Sequence, residues 1–456
     1  MRTTETIIEK IVGDAQLGEL VDINNSIEPV SLNRLVPYIA GTEDIEIILK
    51  NQDLVAGKPL EMNGYRTKQL LAKANKVELD SGRDETSYVS LVNNSPTLIS
   101  FPSEVTWLAA DEGVQKFKES IEWILQKDNI GFDHKKAVAL SSYLGDSVER
   151  SYQKYSFWTD LANNCEGEHL FRLLINASID LSLQAKAKFL SGILPVMNKK
   201  YPSSIGLSHN VNLGYGSIIS DREDEGETVP GCLYTINLNT SMIGRNDFSD
   251  ELKKIVSLSK EAMDYNWFDG IYLSVRDLER ISGNDAQVAT LSKLITELSH
   301  VAQDEHLPLW LSRFGLIGLP AFDMGASFAS YTPNLALRDI FKNGGGGNSK
   351  NRVMHGKALN IDARRLWDAN EINKLQSHKQ SLPALASIRN TASSEELEPS
   401  KARAYRTRFS KPYNIASMNE LSDKWNENVR KGEINPGKEY IKTFSSPSFY
   451  GTWGCE

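Results

Sequence analysis

Three short apolar runs between residues 267 and 331 constrain the fold of this chain more than any other feature of its sequence. The runs 267–275 and 307–313 are joined by a segment, 284–304, whose apolar residues recur at helical spacing. A third run follows at 322–330. Apolar runs of strand length that are separated by a helix indicate a parallel sheet with crossover helices. Each run ends in polar residues, and in an α/β barrel the active face lies at these strand ends.

Five further segments bring the number of predicted strands to eight, which is the number in an α/β barrel. They are 76–83, 96–104, 170–178, 203–209 and 231–238. We therefore predict a (β/α)8 TIM barrel, with a doubly wound open sheet as the alternative. Segments with apolar residues at helical spacing are predicted helices: 65–75, 114–127, 181–199, 248–265, 362–378 and 416–430.

The predicted barrel leaves a region on each side of it. With 456 residues, the chain can hold a barrel of about 250 residues and additions at both ends. We predict an N-terminal region over 1–75 that packs on the barrel and contains a short strand at 46–50. The barrel domain covers 76–342, and a small, basic, mostly helical C-terminal region covers 343–456.

Composition excludes several classes of protein. Hydrophobic residues make up 40% and charged residues 24% of the chain, which is typical of a soluble globular protein. No apolar run reaches the roughly 18 residues that a membrane span requires. The first ten residues lack the apolar core of a secretory signal, so we expect a cytoplasmic protein without a membrane partner.

The cysteines and histidines offer no local metal-binding motif. Cys165, Cys232 and Cys455 are widely separated, and the seven histidines include no His-Glu-x-x-His pattern. Neither a disulfide framework nor a zinc module has such spacing. We therefore expect a reduced compartment, no metal site and no cofactor.

Two C-terminal stretches, 342–365 and 401–411, are basic although the net charge of the chain is −8. The stretch 401–411 contains no acidic residue and includes Tyr405 and Phe409 between its cations. Local clusters of cations neutralise phosphates, and aromatic rings stack on bases. A solvated helix face or tail is the alternative interpretation. The predicted nucleic-acid-binding residues are Lys350, Arg352, Arg403, Arg406 and Arg408.

Carboxylates at the ends of two predicted strands are candidates for catalysis. Asp80 precedes Ser81 and Gly82 at the end of the strand predicted over 76–83, and Glu104 ends the next one. Glycosidic bond cleavage uses a pair of carboxylates in one pocket. A turn-capping role for Asp80 is the alternative. Asp269 and Asp323 precede the apolar part of their strands, so we expect them at the opposite rim of the barrel.

Other polar residues also end predicted strands. His209 and Asn210 end the strand predicted over 203–209, and either could transfer a proton or hydrogen-bond a base. A structural histidine is the alternative. Arg313 suits a phosphate or carboxylate, or it forms an ion pair with an acid on a neighbouring strand. Ser327 lies in the last predicted strand.

The order of these elements resembles that of the tRNA-guanine transglycosylase superfamily. The resemblance covers roughly residues 76–331, and its motif is the Asp-Ser-Gly tripeptide that begins at Asp80. Members of this family are TIM barrels in which that Asp lies against the substrate base and a second Asp on a late strand is the nucleophile. The chain departs from this pattern, because Arg83 replaces a glycine, Ala326 falls at the nucleophile's position and the zinc ligands are missing.

The departures favour the DNA-acting members, which insert deazaguanine into DNA or excise modified bases in antiphage defence. We expect a DNA glycosylase that removes a base, in particular a modified one, after the base has left the stack. Three alternatives stay open: a base-exchanging transglycosylase on DNA or tRNA, a barrel enzyme on a phosphorylated or sugar small molecule, and an inactive nucleic-acid-binding relative. The predicted catalytic residues are Asp80, Glu104 and His209, and the predicted substrate-binding residues are Ser81, Gly82, Asn210, Arg313 and Ser327.

Overall fold

A closed barrel of eight parallel strands forms the centre of the computed structural model, and it confirms the predicted fold class. The structure describes residues 35–81, 87–101, 165–194, 196–199, 202–244, 248–276, 278, 284–315, 318–333, 358–360, 365–367 and 410–430. The barrel strands are β1 (Leu35–Ile39), β2 (Leu60–Asn63), β3 (Thr97–Ser100), β4 (Phe189–Ser191), β5 (Gly231–Asn239), β6 (Ile271–Arg276), β7 (Leu309–Ser312) and β8 (Phe328–Tyr331).

Helices alternate with these strands. The α-helices of the described residues are α1 (Thr42–Lys50), α2 (Thr67–Ser81), α3 (Tyr88–Asn94), α4 (Cys165–Gln184), α5 (Ser203–Asp224), α6 (Asp250–Met263), α7 (Asp285–Asp304), α8 (Gly318–Phe322) and α9 (Lys411–Arg430). Short 3-10 helices cover Gln52–Leu54, Gly64–Arg66 and Thr240–Met242, and Ala358–Asn360 (β9) pairs antiparallel with Arg365–Trp367 (β10). None of the described helices is long and apolar enough to cross a membrane.

Side-chain caps explain where two of the predicted helices begin. Ser249 accepts a hydrogen bond from the backbone N–H of Leu252 at the start of α6, at 3.3 Å. Asn284 accepts one from Gln287 at the start of α7, at 3.2 Å. Each cap satisfies a backbone donor that the first helical turn leaves free. The predicted helices over 248–265 and 284–304 are therefore confirmed.

Three of the predicted strands are wrong. Residues 76–81 of the strand predicted over 76–83 lie at the end of α2, and the strands predicted over 170–178 and 203–209 lie in α4 and α5. The additional short strand predicted at 46–50 is also wrong, because these residues lie in α1. Leu70, Ala74 and Val77 of α2 are buried, and their spacing of four and three residues is that of one face of a helix.

Residues 211–230 are rich in glycine and then in acidic residues, a composition that predicts a loop, but residues up to Asp224 belong to helix α5. A Cβ on Gly216 would lie only 2.8 Å from the Cβ of Trp267. Glycine disfavours an isolated helix, but here its small size permits close packing against the segment before β6. Packing therefore overrides the weak helix propensity of this segment.

The barrel begins earlier than predicted, because β1 and β2 lie between residues 35 and 63. The predicted boundary between 1–75 and 76–342 is therefore wrong. Strand β4, over 189–191, lies inside the helix predicted for 181–199. These missed strands have three to five residues, too few to establish a period of two.

The C-terminal helix α9 confirms the helix predicted over 416–430 and is anchored to the barrel by a buried ion pair. Lys411 is 3% exposed, and its Nζ lies 2.6 Å from Asp44 Oδ1 and 3.2 Å from Glu43 Oε2. Asn414 donates to the carbonyl of Pro333 at 2.9 Å.

In the helix predicted over 362–378, residues 365–367 instead form β10. The predicted helix at 114–127 lies outside the described residues.

The interior of the barrel has an apolar and a polar half. Alternate residues of each strand face the interior. The residues of the first half form one buried apolar cluster: Val36, Leu98, Phe189, Leu233, Tyr272, Trp310 and Phe328. Farther along β5 and β6 the inward positions become polar, as at Asn237 and Ser274. The inward Glu61 of β2 contacts Ser100 and Ser312, the last residues of β3 and β7. We call this carboxyl-terminal end of the interior the mouth, which is lined by Glu61, Asn237, Ser274, Ser312, Arg313 and Ser330.

Candidate functional site

Glu61 of β2 is the central acidic residue of the mouth, and no part of it is exposed. Its Oε1 accepts hydrogen bonds from Ser100 Oγ at 2.6 Å and Ser312 Oγ at 2.7 Å. Tyr272 OH donates to the same oxygen at 2.9 Å, and Trp310 Nε1 donates to Oε2 at 3.1 Å. Because these donors come from β3, β6 and β7, the carboxylate lies within the barrel. Four hydrogen-bond donors thus converge on one fully buried carboxyl group.

Tyr272 remains a hydrogen-bond donor at neutral pH. Burial raises the pKa of Tyr272 well above its ordinary value, and the charge of Glu61 raises it further. The positive charge of Arg313 and hydrogen bonds to neighbouring serines act in the opposite direction. The phenol therefore keeps its proton and donates a hydrogen bond to the carboxylate of Glu61.

Arg313 follows β7 in a strained backbone conformation, with φ at 59°. The other described non-glycine residues with positive φ are Lys186, Asn266 and His306, which each lie two or three residues beyond the end of a helix. Arg313 is thus the one in the described chain that follows a strand. Such a conformation costs about 1–3 kcal/mol and is frequent at functional sites. Ser330 Oγ holds this turn by accepting a hydrogen bond from the Arg313 N–H at 2.7 Å.

The guanidinium group of Arg313 lies in the mouth with unused donors. Its Nη2 donates to Ser274 Oγ at 3.3 Å, and its Cζ lies 5.8 Å from the ring centroid of Tyr38. Nε and Nη1 are buried and have no hydrogen-bond partner among the described residues. A buried donor without a partner is rare in a folded protein and calls for an explanation such as a ligand.

Asn237 of β5 also has buried polar atoms without a hydrogen-bond partner in the described chain. Its side chain is fully buried, and neither Oδ1 nor Nδ2 has a hydrogen-bond partner within the described chain. It stands opposite Ser274 of β6 in the strand register, so both side chains face the interior. By contrast Thr235, two residues earlier, donates to Ser191 Oγ at 3.1 Å and accepts from the N–H of Gly192 at 3.2 Å.

Asp80 does not lie at a strand end, so the prediction that placed it there is wrong. It is the penultimate residue of α2, and its side chain is exposed. Helix α2 follows β2 and has 15 residues, so it extends about 22 Å from its start. Since β2 and β3 are parallel, α2 runs back toward their amino-terminal ends. Ser81 ends the same helix, and Gly82 and Glu104 lie outside the described residues.

His209 and Asn210 lie in helix α5, and the prediction that they end a strand is wrong. His209 Nδ1 lies 3.0 Å from Tyr234 OH, whereas the Asn210 side chain is exposed. Burial lowers the pKa of His209, and the charge of Glu261 opposes this change. Tyr234 alternates with the inward-facing residues of β5 and so faces the helices. His209 therefore belongs to the packing between the barrel and its helices.

Ser327 and Asp269 lie at the opposite end of the barrel. Ser327 Oγ accepts a hydrogen bond from the N–H of Leu309, the first residue of β7, at 3.1 Å. This contact contradicts the prediction that Ser327 binds substrate in the mouth. Asp269 precedes β6, is fully buried and accepts from the N–H of Cys232 at 2.8 Å. The expectation that Asp269 lies at the rim opposite the active face is confirmed.

Of the predicted site residues that the structure describes, Arg313 is the one that it places in the mouth. Lys350, Arg352, Arg403, Arg406 and Arg408 all lie outside the described residues. Within the described chain, no group of three or more His, Cys, Asp or Glu residues could hold a metal ion.

Glu61 and Asn237 are not among the site residues predicted from the sequence. A signal for Glu61 exists in residues 60–63, where Leu60 and Met62 alternate with Glu61 and Asn63. This alternation is typical of a strand with one polar face, but four residues are too few to distinguish it from a turn. Models of known protein families show no match to the chain, and no curated protein is found to be similar to it in sequence.

Proposed function

We propose that this protein is an enzyme that binds a small substrate by its phosphate or carboxylate group in the mouth of the barrel, with Arg313 as the anion ligand. The observation that carries the proposal is the pair of buried donors on Arg313, Nε and Nη1, without a partner in the described chain. A guanidinium group binds phosphate and carboxylate through two parallel N–H groups.

The position of Arg313 in the barrel also supports an anion site. It directly follows β7, and its backbone N–H donates to Ser330 of β8. Barrel enzymes frequently bind phosphate at the loops after the seventh and eighth strands. The barrel fold is commonly enzymatic, and its active sites lie at the carboxyl-terminal face.

Glu61 provides a second charged group in the same mouth, since its charge and that of Arg313 both act on Tyr272. Because this carboxylate already accepts four hydrogen bonds, nucleophilic attack or proton transfer by it would have to break some of them. Its role in the proposed reaction is electrostatic: it stabilises positive charge that develops on the substrate. The hydroxyl groups of Tyr272 and Ser312 are aligned by the same carboxylate.

Cleavage of an N-glycosidic bond, including base removal from DNA, is the second candidate function. The observation that favours it is again Glu61, since the cleavage builds an oxocarbenium-like centre that a buried carboxylate stabilises. Glu61 would take the role that the sequence assigned to Asp80. The phosphate of a nucleotide would lie on Arg313. Contact with a longer nucleic acid through the basic C-terminal residues remains a prediction.

The first candidate is tested by anion binding. Wild type, Arg313→Ala and Arg172→Ala are titrated with inorganic phosphate and with acetate, and binding is followed by ligand-observed NMR. Arg172 is exposed on α4 and serves as the matched control for loss of one positive charge. We expect Arg313→Ala to weaken binding by roughly tenfold or more, as loss of a charge-assisted hydrogen bond implies. Equal affinities of Arg313→Ala and wild type would exclude Arg313 as the anion ligand.

The second candidate is tested by release of free base. Nucleoside monophosphates and single-stranded and double-stranded DNA are incubated with wild type and with Glu61→Gln, which keeps the shape of the side chain. We expect the variant to lose on the order of 10²- to 10³-fold in rate, as on loss of one electrostatic stabiliser. No base release from any of these substrates by wild type would exclude the glycosylase function.

A further inference from the structure

The unpaired polar atoms of Arg313 and Asn237 include both hydrogen-bond donors and an acceptor. Arg313 offers the donors Nε and Nη1, and Asn237 offers the donor Nδ2, none of which has a partner in the described part of the chain. Asn237 Oδ1 is an acceptor that also lacks a partner there. A carboxylate group, or the dianion of a phosphate monoester, offers acceptors only. Such a ligand would satisfy the three nitrogen atoms and leave Asn237 Oδ1 buried without a donor.

Both side chains adjoin the same residue, Ser274. Asn237 stands opposite Ser274 in the register of β5 and β6, and adjacent strands lie about 4.8 Å apart. Arg313 Nη2 donates to Ser274 Oγ at 3.3 Å. An anion that binds Arg313 therefore lies beside the amide group of Asn237, and a neighbouring substituent of the same ligand can reach Oδ1.

A second buried asparagine shows how an amide with a structural role is used in this protein. Asn212 of α5 accepts a hydrogen bond from the N–H of Thr235 at 2.8 Å and donates to the Thr235 carbonyl at 2.9 Å. It also donates to the carbonyl of Ser208 at 3.1 Å. Asn212 thus joins a helix to β5 with both of its polar atoms. Asn237, on the same strand, joins nothing in the described chain through its side chain.

We propose that the substrate carries a hydroxyl group beside its anionic group and that Asn237 selects it by accepting a hydrogen bond from this hydroxyl. The chemical class is a hydroxy carboxylate or a hydroxyalkyl phosphate. This inference rests on the proposed anion site at Arg313 and names its substrate class. Asn237 is a specificity-determining residue: its Nδ2 donates to the anion while its Oδ1 accepts from the hydroxyl.

The expected discrimination follows from the buried acceptor. A ligand without the hydroxyl leaves Asn237 Oδ1 desolvated and unpaired, and this penalty corresponds to a loss of affinity of about tenfold. Sites built to hydrogen-bond a substrate group discriminate in this way against analogues that lack the group.

The experiment compares two pairs of ligands that differ by one hydroxyl group. Lactate is compared with propionate, and 2-hydroxyethyl phosphate with ethyl phosphate, by ligand-observed NMR titration of the full chain. In at least one pair, wild type should bind the hydroxylated member about tenfold more tightly. The pair that shows the preference identifies the anion as carboxylate or phosphate. The absence of a preference in both pairs would overturn the inference, whatever the variants do.

Variants assign the preference to Asn237. Asn237→Leu has nearly the same size without polar atoms and should bring the ratio of affinities close to one. Asn237→Ser keeps a small acceptor, serves as a milder substitution if the leucine variant does not fold, and should reduce the ratio. Asn210→Leu removes an exposed amide on α5 and should leave the ratio unchanged. An unaltered preference in folded Asn237 variants would remove Asn237 from the site.

The same titrations distinguish failure of this inference from failure of the proposed function. If wild type binds both members of a pair equally and Arg313→Ala weakens both, the anion site stands and the role of Asn237 is wrong. If Arg313→Ala binds every ligand as wild type does, the anion site itself is wrong, and the inference about Asn237 fails with it.

Discussion

At the amino-terminal end of the barrel, the buried carboxylate of Asp269 accepts a hydrogen bond from the N–H of Cys232, and Ser327 accepts one from Leu309. At the carboxyl-terminal mouth, by contrast, the amide of Asn237 and two nitrogen atoms of Arg313 have no partner in the described chain. Both ends bury polar side chains within the same sheet. The first end pairs these two side chains with the protein's own backbone, and the second leaves polar atoms of Asn237 and Arg313 unpaired in the described chain.

This difference separates polar groups that stabilise the fold from polar groups that serve a ligand. A paired buried group contributes to stability, whereas an unpaired one reduces it until a ligand supplies the partner. Glu61 lies between the two cases, because it is in the mouth and is fully hydrogen-bonded by the protein. Substitutions at the amino-terminal end should therefore change mainly the stability of the protein. Substitutions of the unpaired residues in the mouth should change mainly its affinity for a ligand.

The largest effect on stability is expected from Glu61→Leu. The substitution leaves four buried donors without their acceptor, so the free energy of unfolding should fall by roughly 3–5 kcal/mol. Equilibrium denaturation in urea measures the change, and Glu61→Gln, which retains an acceptor oxygen, serves as the control with a smaller loss. A loss below about 1 kcal/mol in Glu61→Leu would show that the network around Glu61 does not stabilise the barrel.

Asp269→Ala should lower the free energy of unfolding by about 1–3 kcal/mol, because the N–H of Cys232 loses a charged acceptor in a buried position. Its affinity for phosphate should equal that of wild type, since Asp269 lies at the end of the barrel away from the mouth. Urea denaturation and NMR titration test the two parts. A large loss of affinity with unchanged stability would reverse the assignment of the two ends.

Lys58 precedes β2 at the amino-terminal end of the barrel, and its titration should make the stability of the protein depend on pH. Burial lowers the pKa of Lys58 to about 8 from 10.5, while the charge of Asp423 acts in the opposite direction. Between these values the unfolded chain binds the proton and the folded chain does not, so the stability contributed by Lys58 rises with pH. The slope is at most about 1.4 kcal/mol per pH unit, and partial exposure reduces it.

Lys58→Met removes this titration and keeps most of the apolar stem. The difference in free energy of unfolding between wild type and Lys58→Met should therefore change from pH 8 to pH 10, in favour of wild type at the higher pH. Phosphate affinity at a fixed pH should be the same in both proteins. A difference in stability that is independent of pH would contradict the lowered pKa.

Arg313→Gly should stabilise the protein slightly in the absence of ligand. Glycine adopts a positive φ without strain, which gains about 1–3 kcal/mol, and its greater freedom in the unfolded chain offsets about 0.5–1 kcal/mol of that. The net gain should be on the order of 1 kcal/mol, whereas the increase in stability that phosphate gives wild type should disappear. Arg313→Ala, which retains the strain, is the control. Loss of stability in Arg313→Gly would show that the arginine has a structural role.

The two halves of the barrel also differ in how well the sequence predicts them. Strands β5 to β8 were identified because apolar runs such as 307–313 are long and lie next to helices with clear periodicity. Strands β1, β2 and β4 have five, four and three residues, and no pattern of that length is distinctive. The glycines of α5 suggested a loop because their role, close packing against Trp267, depends on a segment about fifty residues away.

The candidate site was predicted only at Arg313, for a similar reason. Its members extend from Glu61 to Ser330, and the hydrogen bonds that unite them join residues as distant as Glu61 and Ser312. No local motif carries this information. The Asp-Ser-Gly tripeptide, in contrast, is a local motif, and its Asp80 lies at the exposed end of a helix.

The smallest effect is expected from Asp80→Asn. The side chain of Asp80 is exposed near the end of α2, and surface substitutions of this kind change the free energy of unfolding by less than about 0.5 kcal/mol. Removal of a negative charge from the last turn of a helix is, if anything, mildly favourable, because the helix dipole places partial negative charge there. Phosphate affinity, discrimination between lactate and propionate, and any base release should equal those of wild type at matched concentration. Asp80→Asn therefore serves as a control for Glu61→Gln, since each substitution removes one carboxylate charge while only Glu61 lies in the mouth. A loss of base release in Asp80→Asn with Glu61→Gln fully active would return the catalytic role to Asp80 and would contradict the assignment of the mouth as the active face.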